Sequence, residues 1–202
     1  MTAVTNPTAD RPSYLLPLWT AWRRRGRPLL SLLALAPAAF LILARSAGWD
    51  APWKEARTLY EDPSIIVLGL TALLWGVRAA LARSGLLLLI AVQAAIFCCR
   101  EINFDLAHKY VYWATGLVVI LVAAWFCRNG RRLDPDRISW AQVSVFVAAV
   151  AAYAVAMLIQ RRAFRFIPGE DAMHIGLEEA SELGAHLIFL AAALVGPWRR
   201  RA

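Results

Sequence analysis

Residues 138–160 read ISWAQVSVFVAAVAAYAVAMLIQ, 23 residues without a charge between Arg137 and Arg161. Wound into an α-helix at 1.5 Å per residue, the run is about 34 Å long, enough to cross the roughly 30 Å of bilayer hydrocarbon. It predicts a transmembrane helix. Working outward, five shorter uncharged runs of the same character appear: Pro28 to Ala44, Pro63 to Val77, Ser84 to Cys99, Tyr110 to Cys127, and Leu183 to Trp198. A run of 16 residues covers only about 24 Å, so flanking Arg and Trp side chains must snorkel to the head groups. Only Arg78 to Ser84 lies between the second and third runs, which predicts a tight helical hairpin with Arg78 and Arg83 in one head-group layer.

Composition agrees with this pattern. Of 202 residues, 60% are hydrophobic and 18% charged, and the mean hydropathy is +0.52, more apolar than a soluble monomer can hide. Three cysteines, 11 glycines and 10 prolines without period exclude a disulfide scaffold, a collagen-like chain and a disordered chain. The predicted fold is all-α: a polytopic bundle of six transmembrane helices over 28–198, preceded by a basic segment 1–27 and followed by a basic tail 199–202.

Orientation follows from counting charges. With the N-terminus in the cytoplasm, the inner side carries 14 basic and 3 acidic residues and the outer side 8 and 11, which together give the net charge of +8. Both termini are thus expected in the cytoplasm, in a cell inner membrane. The pI of 10.1 does not point to nucleic acid, because the arginines adjoin apolar runs and no soluble domain presents them. Membrane lipids with anionic head groups are the expected partners, with a homo-oligomer or another membrane protein left open. Pro37, directly after Ala34-Leu35-Ala36, argues against cleavage of the first run as a signal peptide.

Tryptophans and tyrosines fall at the ends of the runs, as anchors would: Trp49, Trp53, Tyr110, Tyr112 and Trp113 on one side, Trp22, Trp125, Trp140 and Trp198 on the other. Trp75 stands apart, inside its run. Between Arg45 and Asp62, Trp53, Ala56 and Tyr60 at helical spacing predict a short helix lying in the interface. The polar residues of the inner half, Thr71, Gln93, Gln142 and Ser144, read first as interhelical hydrogen bonds.

The chemistry gathers on the outer side, which holds all three histidines and most carboxylates. In the segment leading to the fourth run, Glu101, Asp105 and His108 project within an arc of about 60° if helical. In the segment leading to the sixth, Asp171, His174, Glu178, Glu179, Glu182 and His186 lie within about 140°, with Gly176, Ala180 and Gly184 as a ridge of small residues behind them. His186 lies three residues inside its uncharged run, and an ionisable group at that depth normally faces the bundle or a wet cavity. Both stripes are expected to face one cleft.

Three functions fit these residues. Glu101, Asp105, Glu178 and Glu182 as acid/base groups, with His108, His174 and His186 as ligands of a divalent transition metal, would make a site acting on a lipid or membrane-proximal substrate. The same groups could relay a proton or ion in a small transporter. Arg100, Lys109, Arg161, Arg162 and Arg165 could instead neutralise the carboxylates in a non-catalytic, structural or partner-binding bundle. Arg161, Arg162 and Arg165 are also candidates for binding an anion or a lipid head group.

Overall fold

A computed structural model of the chain describes residues 53–102, 107–129, 139–163, 165–166 and 170–196, with isolated positions nearer the N-terminus. The described residues form five α-helices and no strand: α1 (Trp53–Ala82), α2 (Gly85–Glu101), α3 (Ala107–Asn129), α4 (Trp140–Gln160) and α5 (Glu170–Leu194). Five of the six expected runs therefore lie on helices. The first run, 28–44, lies almost wholly outside the described residues, as do the terminal segments 1–27 and 199–202 apart from isolated positions.

Two stretches are long and apolar enough to cross a membrane, Asp62–Ala82 and Trp140–Gln160; Trp113–Asn129 is apolar but shorter. Trp53 and Tyr60, expected on a separate interfacial helix, belong instead to α1, which runs through Pro63 without a break. Proline removes one intrahelical donor but need not end a helix that is packed along its length.

α1 packs against α2 and α5, α5 also against α4, and α3 against α2. Its faces are divided in an unusual way. Ser64, Leu68, Thr71, Trp75 and Arg78, spaced by four and three, are buried, whereas Ile66, Leu70, Leu73, Val77 and Leu81 are exposed. Over 64–81 the polar groups are inside, beside Leu68 and Trp75, and the uninterrupted apolar stripe is outside. A helix of a water-soluble bundle has the reverse arrangement.

α4 meets α5 along Ser144, Ala148, Ala152 and Ala156, a buried small residue at every fourth position. Such a groove lets two backbones approach closely. Of the ridge expected on α5, Gly176 is buried but Ala180 and Gly184 are only half-buried; from there on the buried small residues stand one position later, at Ser181 and Ala185, with Ala185 against Ala152. Between the helices lies an aromatic core in which Trp75 packs on Phe146 and Phe189 with ring centroids 6.2 and 6.3 Å apart, and Phe189 packs on Tyr153 at 6.2 Å.

Two of the helix ends close with an arginine in the left-handed region. Arg83 (φ 46°) follows α1, with the Ser84 amide donating to Ala79 O and the Arg83 amide to Ala80 O. Arg162 (φ 54°) does the same after α4, through Ala163 to Leu158 and Arg162 to Ile159. This double bond pattern satisfies the carbonyls that the last turn leaves open. Ser84 also caps α2, its hydroxyl accepting from the Leu87 amide.

Arg78 is not a head-group anchor. It is 2% exposed, and its guanidinium donates to Ala193 O at 2.6 Å, Val195 O at 2.8 Å and Gln142 Oε1 at 3.2 Å, with its Cζ 5.6 Å from the Trp75 ring centre. Gln142 in turn donates to Ala192 O. The arginine thus closes the C-terminus of α5, where open carbonyls and the negative end of the helix dipole favour a cation. Gly196 (φ 91°) completes the closure, since a Cβ there would come 2.9 Å from Gln142 Oε1 and 3.0 Å from Ser139 Oγ.

Candidate functional site

At the opposite end of the bundle, the last turn of α2 meets the middle of α5. Arg100 is the junction. Its Nη2 donates to Glu101 Oε1 at 2.5 Å and to Glu182 Oε2 at 2.7 Å, and its Nε also donates to Glu101 at 2.9 Å. One guanidinium therefore holds two carboxylates from two helices, the charge-assisted geometry for which Arg is suited. The three side chains are largely enclosed, at 27%, 10% and 14% exposure for Arg100, Glu101 and Glu182.

One turn below Glu182 on α5 lies His186, whose side chain is fully buried. Its Nδ1 shares a hydrogen bond with Tyr153 Oη of α4 at 2.9 Å, and its Nε2 lies 3.9 Å from Glu101 Oε1, too far for a hydrogen bond. Phe97 of α2 closes over Tyr153, with ring centroids 4.9 Å apart. Above Glu182, Glu178 and His174 continue the series toward the N-terminus of α5, with His174 Nε2 3.7 Å from Glu178 Oε2. His174, Glu178, Glu182 and His186 thus form an i, i+4 ladder along one side of α5, and Arg100 and Glu101 join it from α2.

Glu182 stands one residue before the uncharged run 183–198. Burial pushes its carboxyl up from the ordinary 4.5 to about 7, a rise that Arg100 opposes and that Glu101 and Glu178 reinforce.

The structure brings Glu101, Glu178, Glu182, His174 and His186 to this end of α2 and α5. Asp105 lies outside the described residues, and His108 is on α3 with its side chain outside them. Arg161, Arg162 and Arg165 are exposed on the turn after α4. Among the described residues, no group of three or more His, Cys, Asp or Glu side chains is placed to hold a metal ion. The cation between the carboxylates is Arg100.

Two members of the cluster had no role in the sequence reading beyond charge or bulk. Arg100 was only one of five neutralising cations, and Tyr153 sat unremarked in the long apolar run. Tyr153 nevertheless carries one of the three hydroxyls of that run, with Ser139 and Ser144, a polar tip that needs a partner when buried. The four polar residues expected to make interhelical hydrogen bonds divide. Gln93 donates to Thr115 of α3 at 3.1 Å and Gln142 joins α1 and α5, whereas Thr71 and Ser144 bond to carbonyls of their own helices.

No protein-family model, curated protein or solved structure matches the chain.

Proposed function

We propose that the chain is a six-span inner-membrane protein with both termini in the cytoplasm, and that Arg100, Glu101, Tyr153, Glu182 and His186 form an acid/base centre opening to the outer side. The observation that carries the function is the Arg100 bridge between two carboxylates beside a fully buried imidazole. Burial and the charges of Glu101 and Glu178 raise the proton affinity of Glu182, and the single guanidinium only partly offsets them. The enclosure admits protons more readily than a bulky substrate, so proton uptake and release at the cluster is the chemistry favoured over attack on a lipid. The cluster is one-sided: below Tyr153 and His186 the interior passes into the aromatic core of Phe189, Phe146 and Trp75.

Membrane residence is supported by the inverted faces of α1 and by how little of the two long apolar stretches is covered, 28% of one and 33% of the other. The core helix of a soluble protein would be mostly buried. Reporter fusions after Arg132 should read cytoplasmic and after Phe166 external; the reverse would place the cluster on the inner side.

The acid/base reading is tested by infrared titration of the detergent-solubilised protein. Because the folded-state value of Glu182 lies above 4.5, the protonated form belongs to the folded state. Its stabilising contribution is complete below about pH 4.5 and is lost as pH rises through about 7. A protonated-carboxyl band should therefore titrate near neutral pH and disappear in Glu182→Gln, which should also flatten the fall in thermal stability over that window. A band that titrates only in the acid range would leave the cluster as an ion-paired brace.

A further inference from the structure

We infer that the groove between α2 and α3, at the end away from the carboxylate cluster, is a binding site for an anionic phospholipid; this rests on the membrane reading above. The groove has a volume of about 620 Å³ and lies between the first turns of α2 and the last turns of α3. Leu88 and Leu89 line it from one helix, and Leu121 and Ala124 from the other. Leu88 and Leu121 are 55% and 43% exposed, so the neighbouring helices leave these walls open.

Charge decides the occupant. Trp125 lines the groove beyond Leu121, and Arg128 and Asn129 follow within about one more turn of α3. Arg128 is exposed, and Arg83, also exposed, stands two residues before Gly85, which lines the same end from α2. A Cβ on Gly85 would meet nothing within 4 Å, so there is room beside the first turn of α2, the positive end of that helix dipole. Among the described residues, no carboxylate lines the groove. Apolar walls leading to a mouth with an aromatic ring, a guanidinium and an amide fit an acyl chain below a phosphate head group. A free phosphate would leave the leucine walls unused, and a zwitterionic head group would bring a second cation beside Arg128.

The experiment starts from membranes expressing the full chain. Alkaline carbonate extraction should leave the protein in the pellet; release into the supernatant would overturn the membrane reading and the lipid site together. Protein purified in detergent is then incubated with phosphatidylglycerol or phosphatidylcholine and the retained lipid is counted by native mass spectrometry. Phosphatidylglycerol should be retained about tenfold more tightly than phosphatidylcholine, and Arg128→Ala should remove most of that preference. Leu121→Trp should fill the groove and reduce retention of both. Equal retention of the two lipids, or no change in either variant, overturns the site while membrane residence stands. So does a Leu88→Cys photo-cross-link that captures residues 28–44 or a second copy of the chain in place of lipid.

Discussion

Arg100→Gln should lose about 3 to 5 kcal/mol of stability above neutral pH, the usual consequence of removing one partner from a buried charge network. Glu101 Oε1 and Glu182 Oε2 both lie within 2.7 Å of the same guanidinium nitrogen, so its removal leaves two carboxylates facing each other with little water between them. The loss should depend on pH in a defined sense. Without the cation the Glu182 carboxyl binds its proton still more tightly in the folded than in the unfolded state, so stability is retained in acid and falls as pH rises. The double variant Arg100→Gln/Glu182→Gln should recover more than half of the loss at about pH 8, since one carboxylate alone has no partner to repel. Thermal and denaturant unfolding in detergent across that range measure all three. A loss that is the same at every pH, and that Glu182→Gln does not relieve, would mean that Arg100 acts by filling space.

The second large effect belongs to the other end of α5. Arg78→Leu removes the donor for Ala193 O, Val195 O and Gln142 Oε1 at once. Each buried acceptor left open costs about 1 to 3 kcal/mol, partly offset because a buried guanidinium no longer has to be desolvated; a net loss of about 2 to 4 kcal/mol is expected. Arg78→Lys should fall between, because one ammonium cannot reproduce the planar fork that serves three oxygens. The reading is checked by unfolding midpoints in one detergent for the three proteins. Equal midpoints for wild type and Arg78→Leu would show that the closure of α5 does not depend on this side chain.

The sequence was legible where the physics is one-dimensional. An uncharged run needs only counting, and the described residues of the runs at 63–77, 84–99, 110–127, 138–160 and 183–198 fall on helices over most of their length. Helical periodicity likewise put Glu178, Glu182 and His186 on one side of α5 and pointed Glu101 toward them. Arg78 was misread because its partners leave no mark in sequence: backbone carbonyls 115 and 117 residues away look like any others. An arginine at the end of an apolar run is the same string of letters whether it snorkels or turns inward. The ridge on α5 was misplaced by one position beyond Gly176 for a related reason, since spacing gives a helical face but not the angle at which a neighbour approaches it. Gly176, Ala180, Gly184 and Ser181, Ala185 are equally periodic, and only the position of α4 chooses between them.

That the two arginines belong to α1 and α2, while most of what they hold belongs to α5, orders the biogenesis of the protein. Synthesis produces Arg78 and Arg100 before Glu182, Ala193 and Val195 have been made. On the proposed membrane reading, an arginine costs about 2.5 to 3.5 kcal/mol at the centre of a span and less at its end, so the α1–α2 hairpin would enter as a receiver waiting for its guest. When α5 arrives, Glu182 and the closing carbonyls engage at opposite ends and fix its depth as well as its direction. A nascent chain stopped before residue 170 would carry both guanidinium groups without the helix they receive, and would be marked as unfinished by cations without their partners.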